Sequence, residues 1–211
     1  MKFLDKVLGR SEPPRPDLDQ LFALPGAALT LQAATGLTPT GLGAVAFREA
    51  EGAASAGVRR DVVALLDADE GPDVERSVDS YGFTWLLVRH EPSDLAGLVT
   101  DLHAVNASLV DAGFGPTLLC SLVGFTDDSD SSDDAADTGD TDSGDGRGGT
   151  GGRRLALVYL YKRGTFYPFA PTGAQTRDSA FELQVRGAVG SDLPVEADVS
   201  RWFPVWGAPG L

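Results

Sequence analysis

Cysteine, histidine and basic charge are all scarce in this 211-residue chain. The single cysteine, Cys120, excludes an intramolecular disulfide framework and a Cys-based zinc cluster. Two histidines, His90 and His103, make no His-rich metal centre by themselves, so neither a metal nor a cofactor is expected. Lys and Arg total 17 against 31 Asp and Glu, a formal net charge of -14. Affinity for polyanions should therefore be poor, and no nucleic-acid partner is expected. No apolar run approaches the roughly 18 residues of a spanning helix; "LALVYLY" at 155–161 has the length of a strand. "MKFLDKVLGR" leads into "SEPPRPD" rather than into the apolar core and cleavage site of a signal peptide. The expectation is a cytoplasmic protein, with peripheral contact at the inner face of the cell membrane left open.

The acidity is concentrated. From Asp127 to Arg147 the chain carries nine Asp and one Arg, a net -8, which leaves -6 for the other 190 residues. Residues 127–152 contain almost nothing that can pack, and like charge with glycine favours an expanded chain, so this tract is read as a disordered acidic loop. It contains no Glu, and an EF-hand needs a closing bidentate Glu, so a formed calcium loop is not expected. Such an insertion is tolerated at a hairpin tip because closure entropy grows slowly with length.

Residues 1–16 form a separate piece. Phe3, Leu4, Val7 and Leu8 recur at helical spacing among Lys2, Lys6 and Arg10, followed by a tether containing Pro13, Pro14 and Pro16. The four apolar residues are membrane-contact candidates; docking on the domain or a frayed terminus are the alternatives. Residues 17–211 read as one α+β domain. A Pro-interrupted helical pair spans 18–36, a short strand centres on Val45 and Phe47, and an amphipathic helix runs through "VRRDVVALLDADEG". Strands follow at "DVERSVDS" and "YGFTWLLVRH". The clearest helix starts at Asp94 and carries Leu95, Leu98, Val99, Leu102, Val105 and Leu109 on one face. "TLLCSLVGF" and "RRLALVYLYKRG" form an antiparallel hairpin across the acidic tract, and "TFYPF" adds an edge strand because of Pro168. A last helix runs through "RDSAFELQVRGAVG". The predicted fold is a mostly antiparallel or mixed sheet of about five strands backed by helices.

Chemistry-bearing candidates are few. Ser121 lacks a "GxSxG" elbow, and the Gly-rich pieces lack both the "GxGxxG" pattern and a Walker-type ending. A small-ligand or hydrolase pocket would have to draw on His90, Asn106 and Ser121. Asn106 interrupts an apolar stripe and is read as a paired core amide or a groove residue; Cys120, inside an apolar strand, reads as a small buried hydrophobe. Tyr159, Tyr161, Arg163 and Phe166 form a basic aromatic patch, or else line one side of a half-buried sheet. Trp202, Phe203 and Trp206 sit in a Pro/Gly-rich end; Phe203 and at least one Trp are read as closing the core, and an exposed Trp as an interface anchor. The protein-binding candidates are Tyr159, Tyr161, Arg163, Phe166, Trp202 and Trp206.

Long phrases of the chain, "LFALPGAALTLQAATGL", "DSYGFTWLLVRHEPSDLAGLVTDLHAVNASLVDAGFGPTLLCSLVGF", "LALVYLYKRGTFYPFAP" and "DLPVEADVSRWFPVWGAPGL", closely resemble the PspA-associated protein PspAB family. The resemblance covers nearly everything outside 127–152, and the long acidic loop departs from the family pattern. It implies a small, cytoplasmic, non-enzymatic accessory or regulatory protein linked to PspA and to membrane stress of the phage-shock type, with PspA or a PspA-linked complex as partner. It transfers no catalytic residues and leaves the oligomeric state open. The element order is also similar to YbjN or type III secretion chaperone folds.

Overall fold

The computed structural model describes residues 16–48, 74–127, 152–173 and 175–211. The amphipathic stretch with Phe3, Leu4, Val7 and Leu8, the helix expected in "VRRDVVALLDADEG" and nearly all of the acidic tract lie outside the described residues.

A 3-10 stretch, Leu18–Ala23, leads into α1 (Leu24–Thr35), with Pro25 in its first turn, where the missing N–H costs nothing. Leu24, Ala27, Ala28 and Leu31 fall on its buried side, and Gly36 ends it in the left-handed region at φ 80°. β1 (Thr38–Phe47) follows, longer than the sequence suggested. Its register against its neighbour slips between Pro39 and Gly43, with Gly41 at φ 76° in the slip. A Cβ at Gly41 would lie 2.1 Å from the His90 carbonyl oxygen, so only glycine fits this bend.

β2 (Val74–Val78) and β3 (Thr84–Arg89) form a hairpin. Gly82 lies in its turn at φ 79°. α2 (Leu95–Asp111) is capped by Asp94, whose carboxylate accepts from the Gly97 N–H at 2.9 Å. β4 (Leu118–Thr126) and β5 (Arg154–Leu160) pair antiparallel through to their ends. Beyond them the Asp127 N–H donates to the Arg153 carbonyl at 3.3 Å, and Arg153 Nε donates to the Asp127 carboxylate at 2.9 Å. The acidic insertion thus leaves and returns at one point on the hairpin. β6 (Thr165–Phe169), a minor pair β7 (Pro171–Gly173) and β8 (Thr176–Arg177), and α3 (Ser179–Val189) complete the order.

The main sheet is six-stranded, in order β2-β3-β1-β4-β5-β6, with every neighbouring pair antiparallel. The fold is therefore α+β, with one strand more than expected. Pro168 sits on an edge strand, as its missing donor requires. Each central strand reads as an unbroken apolar run because both faces are covered. Val45, Leu86, Val123, Leu157 and Tyr159 face a core shared with the helices. Ala46, Trp85, Cys120, Val158 and Tyr167 face the opposite way, against the C-terminal stretch through Trp202, Val205 and Ala208. Gly43 sets the distance on the helix side, since a Cβ there would come within 2.8 Å of the Leu102 side chain. That asymmetry, helices on one face and an irregular strap on the other, positions everything below.

Candidate functional site

The strap does not close its face of the sheet. Between it and the β2–β3 hairpin lies a cavity of about 570 Å³ whose floor is Trp85, Cys120, Leu160 and Tyr167. One wall is the hairpin turn, Tyr81 and Phe83, and the other is Phe203 to Trp206. A second cavity of about 530 Å³ continues it past Phe83, Leu119 and Phe203 toward Pro116, Lys162 and Arg201. Phe203, expected to close the core, is instead 53% exposed. Its neighbour Pro204 and its alternation with buried Trp202 and Val205 turn it outward, so it forms a wall rather than a lid.

Asp79, Trp85 and Tyr167 in the lining of this trough are engaged within the fold. The Asp79 carboxylate accepts from the Tyr81 N–H at 2.8 Å, the Phe83 N–H at 2.9 Å and Trp85 Nε1 at 2.9 Å. Burial works to raise its pKa, but these hydrogen bonds outweigh it and hold the carboxyl below the ordinary value. The same bonds fix the indole in the floor and set the turn that presents Tyr81 and Phe83. The Tyr167 hydroxyl donates to the Phe203 carbonyl at 2.7 Å, tying strap to sheet, and its ring stacks on Trp202. Burial pushes the Cys120 thiol up to about 12, so it stays protonated and unreactive at neutral pH. The Arg48 guanidinium lies 4.7 Å from the centre of the Phe83 ring.

Residues singled out from the sequence are distributed differently from the expectation. Tyr159 and Phe166 are buried because antiparallel pairing of β5 with β4 and β6 sets them in a covered face of the sheet, Tyr161 just past β5 joins the same core, and Trp202 is buried where the strap packs on the opposite face. They fill the core instead of forming an exposed contact patch. The Tyr159 hydroxyl donates to the Asp17 carbonyl at 2.7 Å, holding the chain where it enters the domain. Arg163 donates twice to buried Glu196, which also accepts from Thr165 Oγ1 at 3.2 Å and the Asp198 N–H at 3.0 Å. Burial opposes ionisation of Glu196, yet Arg163 and these donors keep its pKa below the ordinary 4.5. Of the six, Arg163 and Trp206 stand partly exposed, both in the lining of the trough.

The pocket drawn on His90, Asn106 and Ser121 is not assembled. Asn106 Nδ2 donates to Ser121 Oγ and to the Leu102 carbonyl, both at 2.8 Å, inside the helix-side core, where Ser121 and Asn106 are buried. Ser121 pairs with Val45, and Val45 with Leu86. His90 therefore lies two strands across and four residues further along, roughly 13 Å on the strand axis alone. His90 bridges Asp101 at 2.7 Å and Asp94 at 3.0 Å. Burial tends to lower its pKa, but the hydrogen bonds and charges of these two carboxylates raise it above 6.5. The ring joins the end of β3 to the start of α2.

With this geometry in place, comparison with known proteins adds one finding. A family model described as PspA associated protein B (PspAB) matches residues 1–210. The chain belongs to the PspAB family. No curated protein and no solved structure matches it, and the likeness to YbjN or chaperone folds rests on element order alone. Among the described residues of this PspAB member, no helix is long and apolar enough to cross a membrane, and no cluster of His, Cys, Asp or Glu is arranged to hold a metal. The trough residues Arg48, Asp79, Phe83 and Phe203 escaped the sequence reading as a group. Asp79 followed by Gly82 is a recognisable turn signal, but only the strap's return path brings Phe203 opposite that turn.

Proposed function

We propose that this chain is a non-enzymatic, cytoplasmic accessory protein of a PspA-linked membrane-stress response, acting as a binding platform. The family match carries the link to PspA. The binding reading is supported by the trough, where Asp79, Trp85 and Tyr167 are hydrogen-bonded within the fold while Tyr81 and Phe203 stand exposed in its walls. Exposed large apolar side chains rimming a concavity mark an interaction surface.

The test is reciprocal pulldown of PspA with the full chain and with a Phe203→Asp variant shown to be folded. The full chain should capture PspA, directly or within a complex, and the variant should capture at least tenfold less. Absence of association with the intact chain contradicts the PspA link; undiminished association of the variant removes the strap from the contact surface.

A further inference from the structure

The two cavities share Arg48, Phe83, Leu119, Leu160 and Phe203, so they form one trough whose chemistry changes along its length. At the inner end Trp85, Cys120, Tyr167, Val205 and Trp206 give an apolar lining, and the one carboxylate there, Asp79, is saturated by three donors. The outer end carries four cations, Arg48, Lys162, Arg163 and Arg201. Two are compensated: Arg163 by Glu196, and Arg201 by Asp198 at 3.4 Å and Glu196 at 3.9 Å. Arg48 and Lys162, both exposed, have no acidic partner among the described residues.

A chain of net charge -14 thus places at the mouth of an apolar trough two cations without a carboxylate partner among the described residues, Arg48 donating only to the Tyr81 carbonyl at 3.4 Å there. A neutral apolar ligand would leave them unused and a cationic one would be repelled. A ligand with one alkyl chain and one anionic end satisfies both halves, and each cavity lies in the size range of small-molecule sites. We propose that the trough binds a single-chain anionic amphiphile, a long-chain carboxylate, with its chain between Trp85, Tyr167 and Trp206 and its head group at Arg48 and Lys162. This goes beyond association with PspA and does not depend on it.

Trp85 and Trp206 line the chain-binding end, which provides a direct readout. The full chain alone is titrated with dibrominated stearate below its micelle-forming concentration, following tryptophan quenching by bromine. Its methyl ester serves as the uncharged control. Saturable quenching is expected for the acid, with about tenfold weaker affinity for the ester. An Arg48→Gln/Lys162→Gln variant should lose about tenfold for the acid, the combined worth of two exposed charges, and nothing for the ester. Both side chains are exposed, so the variant keeps its core. Equal binding of acid and ester, or an unchanged variant, overturns the head-group assignment. No saturable quenching in the full chain overturns the proposal altogether, including the case where a protein helix or a second copy fills the trough. PspA is absent from this titration, so its failure and a failure of the pulldown are separate results.

Discussion

His90 shows how much one side chain does in this fold. Its ring spans Asp94, which caps α2, and Asp101 about two turns further along, while its backbone N–H donates to the Gly41 carbonyl at 2.9 Å. Because the folded pKa is raised, protonated His90 stabilises the fold fully below about pH 6.5, and that contribution disappears as pH rises through the higher folded value. Urea midpoints of the wild type and a His90→Asn variant should therefore differ more at pH 6 than at pH 9; a gap that widens with rising pH would contradict the arrangement. Glu182 is the second such residue. It is buried, accepts from the Ala170 N–H at 2.8 Å and pairs with Arg177 at 2.7 Å, and Arg177 in turn donates to the Trp202 carbonyl at 2.8 Å. Glu182→Ala leaves the buried Ala170 N–H without its acceptor and the largely covered Arg177 guanidinium without its carboxylate. A loss of about 3 kcal/mol is expected in urea unfolding, at the low end for a broken buried pair because Arg177 keeps some water contact. Periodicity marked the helix around Glu182 but gave no hint that a charged residue on it would be core, since its partners Ala170 and Arg177 come from the β6–α3 connection.

Elements were legible where one local rule decides them. The apolar stripe from Leu95 to Leu109 with Asp94 ahead of it is a helix and its cap, and "TFYPF" is an edge strand at the expected residues. Faces were not legible. Strands such as β5 and β6, buried on both sides over most of their length, have no polar alternation to tell which side meets the helices, so Tyr159 and Phe166 read equally as patch or core. The β4–β5 hairpin makes a sharper claim, because Asp127 and Arg153 clamp its end independently of what lies between them. Replacing residues 128–152 with Asn-Gly should leave stability unchanged or raise it by up to about 2 kcal/mol, the closure entropy of a loop shortened from 25 residues to two. Loss of the folded state on that replacement would mean the insertion contributes to the core.

At the scale of the whole molecule, the helices and the strap divide the work. The helix face is sealed around Leu98, Leu102, Tyr159 and Phe166, each fully buried, and contributes stability. The strap face is left partly open, with Asp79 and Tyr167 bonded to fix its walls and Phe203 turned out of it. Partitioning the charge points the same way: most of the chain's acidity sits in an insertion at one hairpin tip, while the trough mouth is locally basic. The central claim is that partners meet this chain on the strap face. Amide hydrogen exchange of the full chain with and without PspA tests it most directly. The account predicts protection concentrated at Tyr81 to Trp85 and at Val199 to Trp206, with the amides of α1 and α2 unchanged; binding that protects α1 and α2 and leaves the strap untouched would contradict it.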